Sequence, residues 1–146
     1  MADKKDGVGI ADNVQIVLRG PDGKVKRSSV HNASTTAGRN AIADQMLAVP
    51  TLAKPTHMAI GTGSPAATLL GAEVARVALT SKNRSGAIVT MIADYAAGVG
   101  TGVITESGIF NVVTANTVDM YFSASFGSVT KGVLDSLQIT WTVTIS

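Results

Sequence analysis

The sequence predicts a mainly β protein: an antiparallel β-sandwich or barrel-like domain of about eight strands with one α-helix packed on one side or end. The first observation behind this is the stretch from Ser136 to Ser146. Leu137, Ile139, Trp141, Val143 and Ile145 take every second place there, and Ser, Thr and Gln take the others. Alternate side chains of a strand point to opposite faces, so one face is apolar and the other carries hydroxyls and an amide. A register slip by one residue would put Trp141 in water, so the pairing is tightly specified. This reads as the central, core-facing strand. The second observation is a series of short alternating runs separated by Gly, Pro and Asn turn signals. The third is that only one segment has convincing helical spacing, with no βαβ rhythm.

Taken in order, residues 1–13 mix charge and glycine without a period and read as a flexible N-terminal arm. Residues 14–146 read as a single β-sandwich-like domain. Val14 to Arg19 alternates, with Val14, Ile16 and Leu18 on one face. Gly20-Pro21-Asp22-Gly23 is a turn, because Pro presets one dihedral and Gly tolerates positive φ. Lys24 to Val30 returns as the outer strand of an edge hairpin. Lys24, Lys26, Arg27 and Arg19 give it positive charge, the familiar protection of an edge against aggregation.

Thr35 to Val49 is the predicted helix. Ser34 or Thr35 caps it. Ile42 and Met46, with Ala43 and Leu47 beside them, form its apolar face, and Arg39, Asn40 and Asp44 the wetter side. Pro50 stops it. Thr56 to Gly61 is a short buried strand, and Gly61-Thr62-Gly63-Ser64-Pro65 a turn or irregular loop. Glu73 to Lys82 is a strand. Asn83-Arg84-Ser85-Gly86 connects it to Ala87–Tyr95, whose two apolar faces predict cover on both sides. Gly98 to Gly102 is a loop. Val103 to Val112 is a strand with an irregularity at Ser107-Gly108. Asp119 to Phe126 alternates, with Met120, Phe122, Ala124 and Phe126 in and Tyr121, Ser123 and Ser125 out. Gly127 to Leu134 links it to the final strand.

A chain of 146 residues is one domain, large enough for a real core. Hydrophobic residues at 45% exclude disorder of the whole chain. Charged residues are only 15%, which fits either a surface that meets other protein or a β surface rich in Ser and Thr. The net charge of +2 is too small to argue for nucleic acid or an anionic membrane. The absence of cysteine excludes a disulfide framework, thiolate metal sites and a thiol nucleophile. The N-terminus has no apolar segment like that of a signal peptide, and no run reaches the length of a membrane helix. Asn32-Ala33-Ser34 and Asn83-Arg84-Ser85 match the glycosylation pattern by chance on this reading.

No catalytic, cofactor-binding or metal-binding residues are predicted. The glycine stretches at 61–63 and 98–102 lack the lysine and the strand-to-helix context of a phosphate loop. His31 and His57 have no metal-ligand spacing around them, and His57 reads as a structural histidine. No Gly-x-Ser-x-Gly elbow is present. Glu73 and Arg76, three apart in a strand, would face opposite sides. Glu106 lies between apolar neighbours and must be paired if it is buried and ionised, by an Arg or by several backbone donors; a structural salt bridge is preferred to a catalytic acid. Trp141, Phe122 and Phe126 fall on core faces.

Several segments then line up in a recognisable pattern. They are Ala37-Gly38-Arg39-Asn40-Ala41-Ile42-Ala43-Asp44, His57-Met58-Ala59-Ile60-Gly61-Thr62-Gly63 and Leu70-Gly71-Ala72-Glu73-Val74-Ala75-Arg76. Glu106-Ser107-Gly108-Ile109-Phe110-Asn111 and Asp135-Ser136-Leu137-Gln138-Ile139-Thr140-Trp141-Thr142-Val143 complete it. In that order and spacing, from Thr36 to the C-terminus, the chain resembles a group of small virion structural proteins of tailed bacteriophages, known as capsid decoration (cement) or tail-fibre-like proteins. The resemblance implies a non-enzymatic protein of the virion, made in the host bacterial cytoplasm. It implies binding to the major capsid protein lattice on the outer capsid surface, and a homo-oligomer, often a homotrimer. The alternative is a tail, baseplate or tail-fibre component, possibly host-binding. No cofactor, nucleic acid or membrane partner is expected.

Overall fold

The computed structural model describes residues 9–32, 34–117 and 119–146. The alternating runs become nine strands, β1 (Ile10–Arg19), β2 (Val25–Asn32), β3 (His57–Gly61), β4 (Glu73–Ala78), β5 (Ser81–Ser85), β6 (Ile88–Tyr95), β7 (Gly102–Phe110), β8 (Phe122–Lys131) and β9 (Ser136–Ile145), with one helix, α1 (Thr36–Asp44), among the described residues. The strands form two antiparallel sheets, ordered β2-β1-β9-β6-β5 and β4-β3-β7-β8. The fold is the mainly β, sandwich-like one that the sequence predicts.

β9 holds the middle of the five-stranded sheet, as its alternation requires. Its apolar side chains lie in cross-strand rows with those of β1 and β6: Val14, Trp141 and Met91 in one, Ile16, Ile139 and Ala93 in the next, Leu18, Leu137 and Tyr95 in the third. All nine are buried, Leu18 least so. Directly opposed side chains of this kind are the unit of sheet stabilisation. The second sheet closes over these rows. Phe122 of β8 meets Trp141 with ring centroids 6.4 Å apart, inside the range of favourable aromatic pairs. The Tyr95 hydroxyl crosses the sandwich to donate to the Met58 carbonyl at 2.7 Å, and burial keeps that phenol protonated well above its usual range.

The four-stranded sheet is covered on its other face too. Ala59, Phe110, Leu70 and Met120 make a second small cluster there, completely or almost completely buried. Leu70 and Met120 come from the connections between β3 and β4 and between β7 and β8, which fold over the sheet.

Several sequence expectations are corrected. β1 begins at Ile10, so residues 10–13 of the predicted arm are strand, while residues 1–8 of it lie outside the described residues. Asp12 hides the continuation of the alternation. It is a polar residue at a core-facing place, 2% exposed, and it accepts a bond from Trp141 Nε1 at 2.9 Å. The predicted strand from Glu73 to Lys82 is two strands, because the chain changes sheet at Leu79 and Thr80. There the Leu79 N–H donates to Thr56 and the Thr80 N–H to Ile92.

Among the described residues, β6 is not covered on both sides. Val89, Met91, Ala93 and Tyr95 face inward, but its other face is open and Ile88 is 41% exposed. The double cover falls on β3 and β7 instead. The irregularity of β7 lies between Ile104 and Glu106 rather than at Ser107-Gly108. Tyr121, predicted to point out, is buried, its hydroxyl donating to the Ala53 carbonyl at 2.7 Å. β8 runs on to Lys131, so the link to β9 is shorter than predicted. Lys131 itself is buried and donates to the Ala96 carbonyl, and burial lowers its pKa.

Trp141→Ala should cost about 3–5 kcal/mol, the usual range for truncating a buried aromatic. Thr142→Ala, on the open face, should stay within about 0.5 kcal/mol. Urea unfolding of the two variants checks the assignment, which fails if they are equal.

Candidate functional site

α1 is fixed at its start by Thr35. Its side chain accepts from the Gly38 N–H at 3.0 Å, while its hydroxyl lies 2.9 Å from the Tyr121 carbonyl as donor. Gly38 has to be glycine here. A Cβ would stand 1.9 Å from the Tyr121 carbonyl oxygen, so the helix touches the chain before β8 backbone to backbone.

The helix ends five residues before the predicted Val49. Asp44, predicted on the wetter side, is 9% exposed and folds back on the chain. Its carboxylate accepts from the Thr51 N–H at 2.9 Å, the Thr51 hydroxyl at 2.7 Å and the Leu52 N–H at 2.8 Å. The Leu52 backbone bond, then the Thr51 hydroxyl, hold the Asp44 pKa below its ordinary value against the opposing effect of burial. The Gln45 and Met46 N–H groups turn to tighter bonds, onto Ile42 and Ala43. Residues 45–52 thus close into a stapled loop.

That loop carries apolar side chains into solvent. Met46 is 89% exposed, Val49 77%, Leu47 55% and Leu52 41%. Single exposed apolar residues are ordinary, and Val112-Val113 and Val133-Leu134 stand out in pairs elsewhere. Four within one short, stapled loop form a patch of the kind that marks a contact surface. Met46 and Leu47, predicted as part of the helix's core face, are exposed here. Beside the loop, a cavity of about 430 Å3 opens between α1, residues 53–55 and the inner face of β5 and β6.

The residues singled out for chemistry take structural places. Glu106 is fully buried and, among the described residues, has no salt bridge. Its carboxylate accepts from the N–H groups of Gly63 at 3.0 Å, Ala72 at 2.8 Å and Gly71 at 2.9 Å. Of the two predicted pairings, backbone donors replace the preferred ion pair. The glycine-containing loop after β3 therefore cradles a carboxylate of its own chain. Gly61 lies against it too, since a Cβ there would meet Glu106 Oε1 at 2.3 Å.

Among the described residues the buried ion pair is Glu73–Arg76. Arg76 Nη2 donates to Glu73 Oε1 at 2.7 Å and Nε to Oε2 at 2.9 Å, and both side chains are 2% exposed. The prediction that they face opposite sides fails for a definite reason. Gly61 pairs with Glu73 and Ile60 with Ala75, so Val74 is an extra residue, a bulge that turns Glu73 to the side of Arg76. Arg76 also stacks 3.7 Å over the Phe110 ring and donates to the Val112 carbonyl and Thr117 Oγ1.

His57 Nδ1 lies 2.8 Å from Thr56 Oγ1, and burial, then the Arg76 charge, lowers its pKa. Among the described residues no group of three His, Cys, Asp or Glu is placed to hold a metal. Trp141, Phe122 and Phe126 are in the core as predicted. β2, carrying Lys26 and Arg27, is an edge strand.

Glu106→Gln puts an NH2 group where one of three N–H donors must be met, and should cost about 1–3 kcal/mol in urea unfolding. Asp44 has a lowered folded pKa, so it contributes stability above its ordinary value of 3.8 that is lost as the pH falls through the folded one. Asp44→Asn should flatten that acid limb, read as thermal midpoint against pH from about 5 downward, and should speed amide exchange at Thr51 and Leu52. An unchanged limb would show that the staple does not hold the loop. No protein family matches the chain, and neither a curated protein nor a solved structure does.

Proposed function

We propose that this chain is a structural protein of a tailed-bacteriophage virion, a decoration protein that binds the major capsid protein lattice and works as a homo-oligomer, with a trimer as the expected state. The observation that carries the proposal is the stapled apolar loop, with Met46, Leu47, Val49 and Leu52 in solvent. A protein whose work is to bury surface on a shell needs such a patch held in shape before contact, because ordering a loose loop on binding would weaken the contact. Many copies on one lattice turn a modest contact into strong attachment. The resemblance at Ala37–Asp44, His57–Gly63, Leu70–Arg76, Glu106–Asn111 and Asp135–Val143 points the same way. The open Thr-rich and Gln-rich face of β9 and its neighbours supplies a second broad surface for a partner subunit.

The test uses virions and particles lacking the protein. Gel densitometry should give hundreds of copies per particle, on the order of the coat subunits themselves. Adding the pure protein back should raise the particles' resistance to heat, since a ligand that binds only the assembled state stabilises it by mass action. The double variant M46D/V49D changes only exposed side chains. It should keep its unfolding midpoint and lose particle binding at least tenfold. Light scattering of the pure protein should give three times the chain mass. A dozen copies or so would move the protein to the tail, and full binding by M46D/V49D would remove the loop from the contact.

A further inference from the structure

The cavity beside α1 has a floor and a rim of different chemistry. Ala41, Met91, Phe122 and Val143 lie at its bottom, all at most 7% exposed. Ile42, Val89 and Ile145 make its walls. Among the described residues the charged groups lining it are Lys54, Lys82 and Arg84, all exposed cations, with no carboxylate. Its volume of about 430 Å3 is that of a small-molecule pocket.

Strand pairing explains the rim. Lys82 is opposite Met91 and Arg84 opposite Val89, and opposed residues of an antiparallel pair share a face. Both cations therefore lean to the inner, apolar side of β5, the edge strand of its sheet. Lys82 reaches over to donate to the Pro55 carbonyl at 2.6 Å, which brings it beside Lys54. Burial, then the Lys54 charge, lowers the Lys82 pKa, so like charges converge here at a cost. An anion at the rim would relieve that repulsion, and an apolar tail would fill the floor.

We propose that this cavity binds an amphipathic carboxylate, an unbranched alkyl chain ending in one acidic head, with the chain against Met91, Phe122 and Val143 and the head between Lys54, Lys82 and Arg84. The proposal is independent of the virion role. Inward-pointing cations on an edge strand also occur simply to block edge pairing. That use needs charge on β5 alone. Here Lys54 joins the rim from a different segment.

The test is binding of decanoate, decanol and decyltrimethylammonium to the full chain, each below its micelle concentration. Trp141 is the reporter. It is the one tryptophan, paired across strands with Met91 of the cavity floor. Decanoate should quench or shift its emission saturably, at least tenfold tighter than decanol, with decyltrimethylammonium weakest. Shortening decanoate to octanoate should weaken binding by about fifteenfold, from two methylenes at about 0.8 kcal/mol each. The double variant K82E/R84E alters exposed residues only. It should stay folded with a cooperative unliganded melt, lose decanoate at least tenfold and gain decyltrimethylammonium.

Decanoate that binds no tighter than decanol, or that binds K82E/R84E undiminished, overturns the proposal. So does a cavity filled by a second copy of the chain, seen as concentration-dependent mass with no carboxylate uptake. Self-association gained by K82E/R84E, from a parent that takes up no decanoate, would make the two cations edge guards and also overturn it.

Discussion

A single buried carboxylate sets the shape of one whole side of this molecule. Glu106 is fully buried on the outward face of the four-stranded sheet, where an ionised group without partners would cost several kcal/mol. Its partners are three N–H groups of the connection between β3 and β4. That connection has little regular structure and only short stretches of apolar side chain. It lies flat on the sheet because its backbone donors and the carboxylate satisfy one another. With Gly63, Gly71 and Ala72 drawn to Glu106, Leu70 is placed over Ala59 and Phe110. Met120 arrives from the other side to complete that small core. The buried Glu73–Arg76 pair then ties down the following loop through the Val112 carbonyl, Thr117 and the Asn116 N–H.

The result is an asymmetric sandwich. The four-stranded sheet is clothed on both faces. Among the described residues nothing covers the outer face of the five-stranded sheet, which carries Gln15, Gln138, Thr140, Thr142, Thr144 and Thr90. Hydroxyls and amides hydrate without carrying charge, so this face accounts for part of the low charged fraction of the chain. It is broad, and among the described residues its large apolar side chains are Ile88, half-hidden Val17 and Ile92, and Val25 opposite Arg19. The concentrated apolar exposure lies at the loop after α1 and at the paired valines and leucine of two other loops. Exposed apolar side chains and the bare polar face are thereby kept on different parts of the fold.

Much of this was legible in the sequence where a residue's environment follows from its own strand. The rows of β9, the turn at Gly20–Gly23, the buried β3 and the edge position of β2 all follow from period and turn chemistry. The failures occur where a side chain bonds across the fold. Asp12 interrupts the apolar period of β1 because its partner is Trp141, far along the chain. The Val74 bulge reverses the relation of Glu73 to Arg76, and nothing local at Val74 announces it. Tyr121 reads as an outward residue until Ala53 supplies its acceptor. For Glu106 the demand for partners could be read from its apolar neighbours. Which partners answer it depended on how the glycine loop closes in three dimensions.

The loop after α1 is shaped in the same way, by bonds across the chain. From Thr35 to Val49 the apolar spacing is helical, and local propensity favours continuing. The helix stops at Asp44 because its carboxylate takes three donors from Thr51 and Leu52, and those bonds can form only if the chain doubles back. Side chains that would have lined a longer helix's buried face are thereby turned outward on a closed loop. A natural sequence is usually consistent between its local pattern and its fold, and departures concentrate where function or strain requires them. Here the departure coincides with four exposed apolar side chains in one loop and adjoins the cavity beside α1. The conflict between pattern and structure thus falls on the surface that both proposed roles would use.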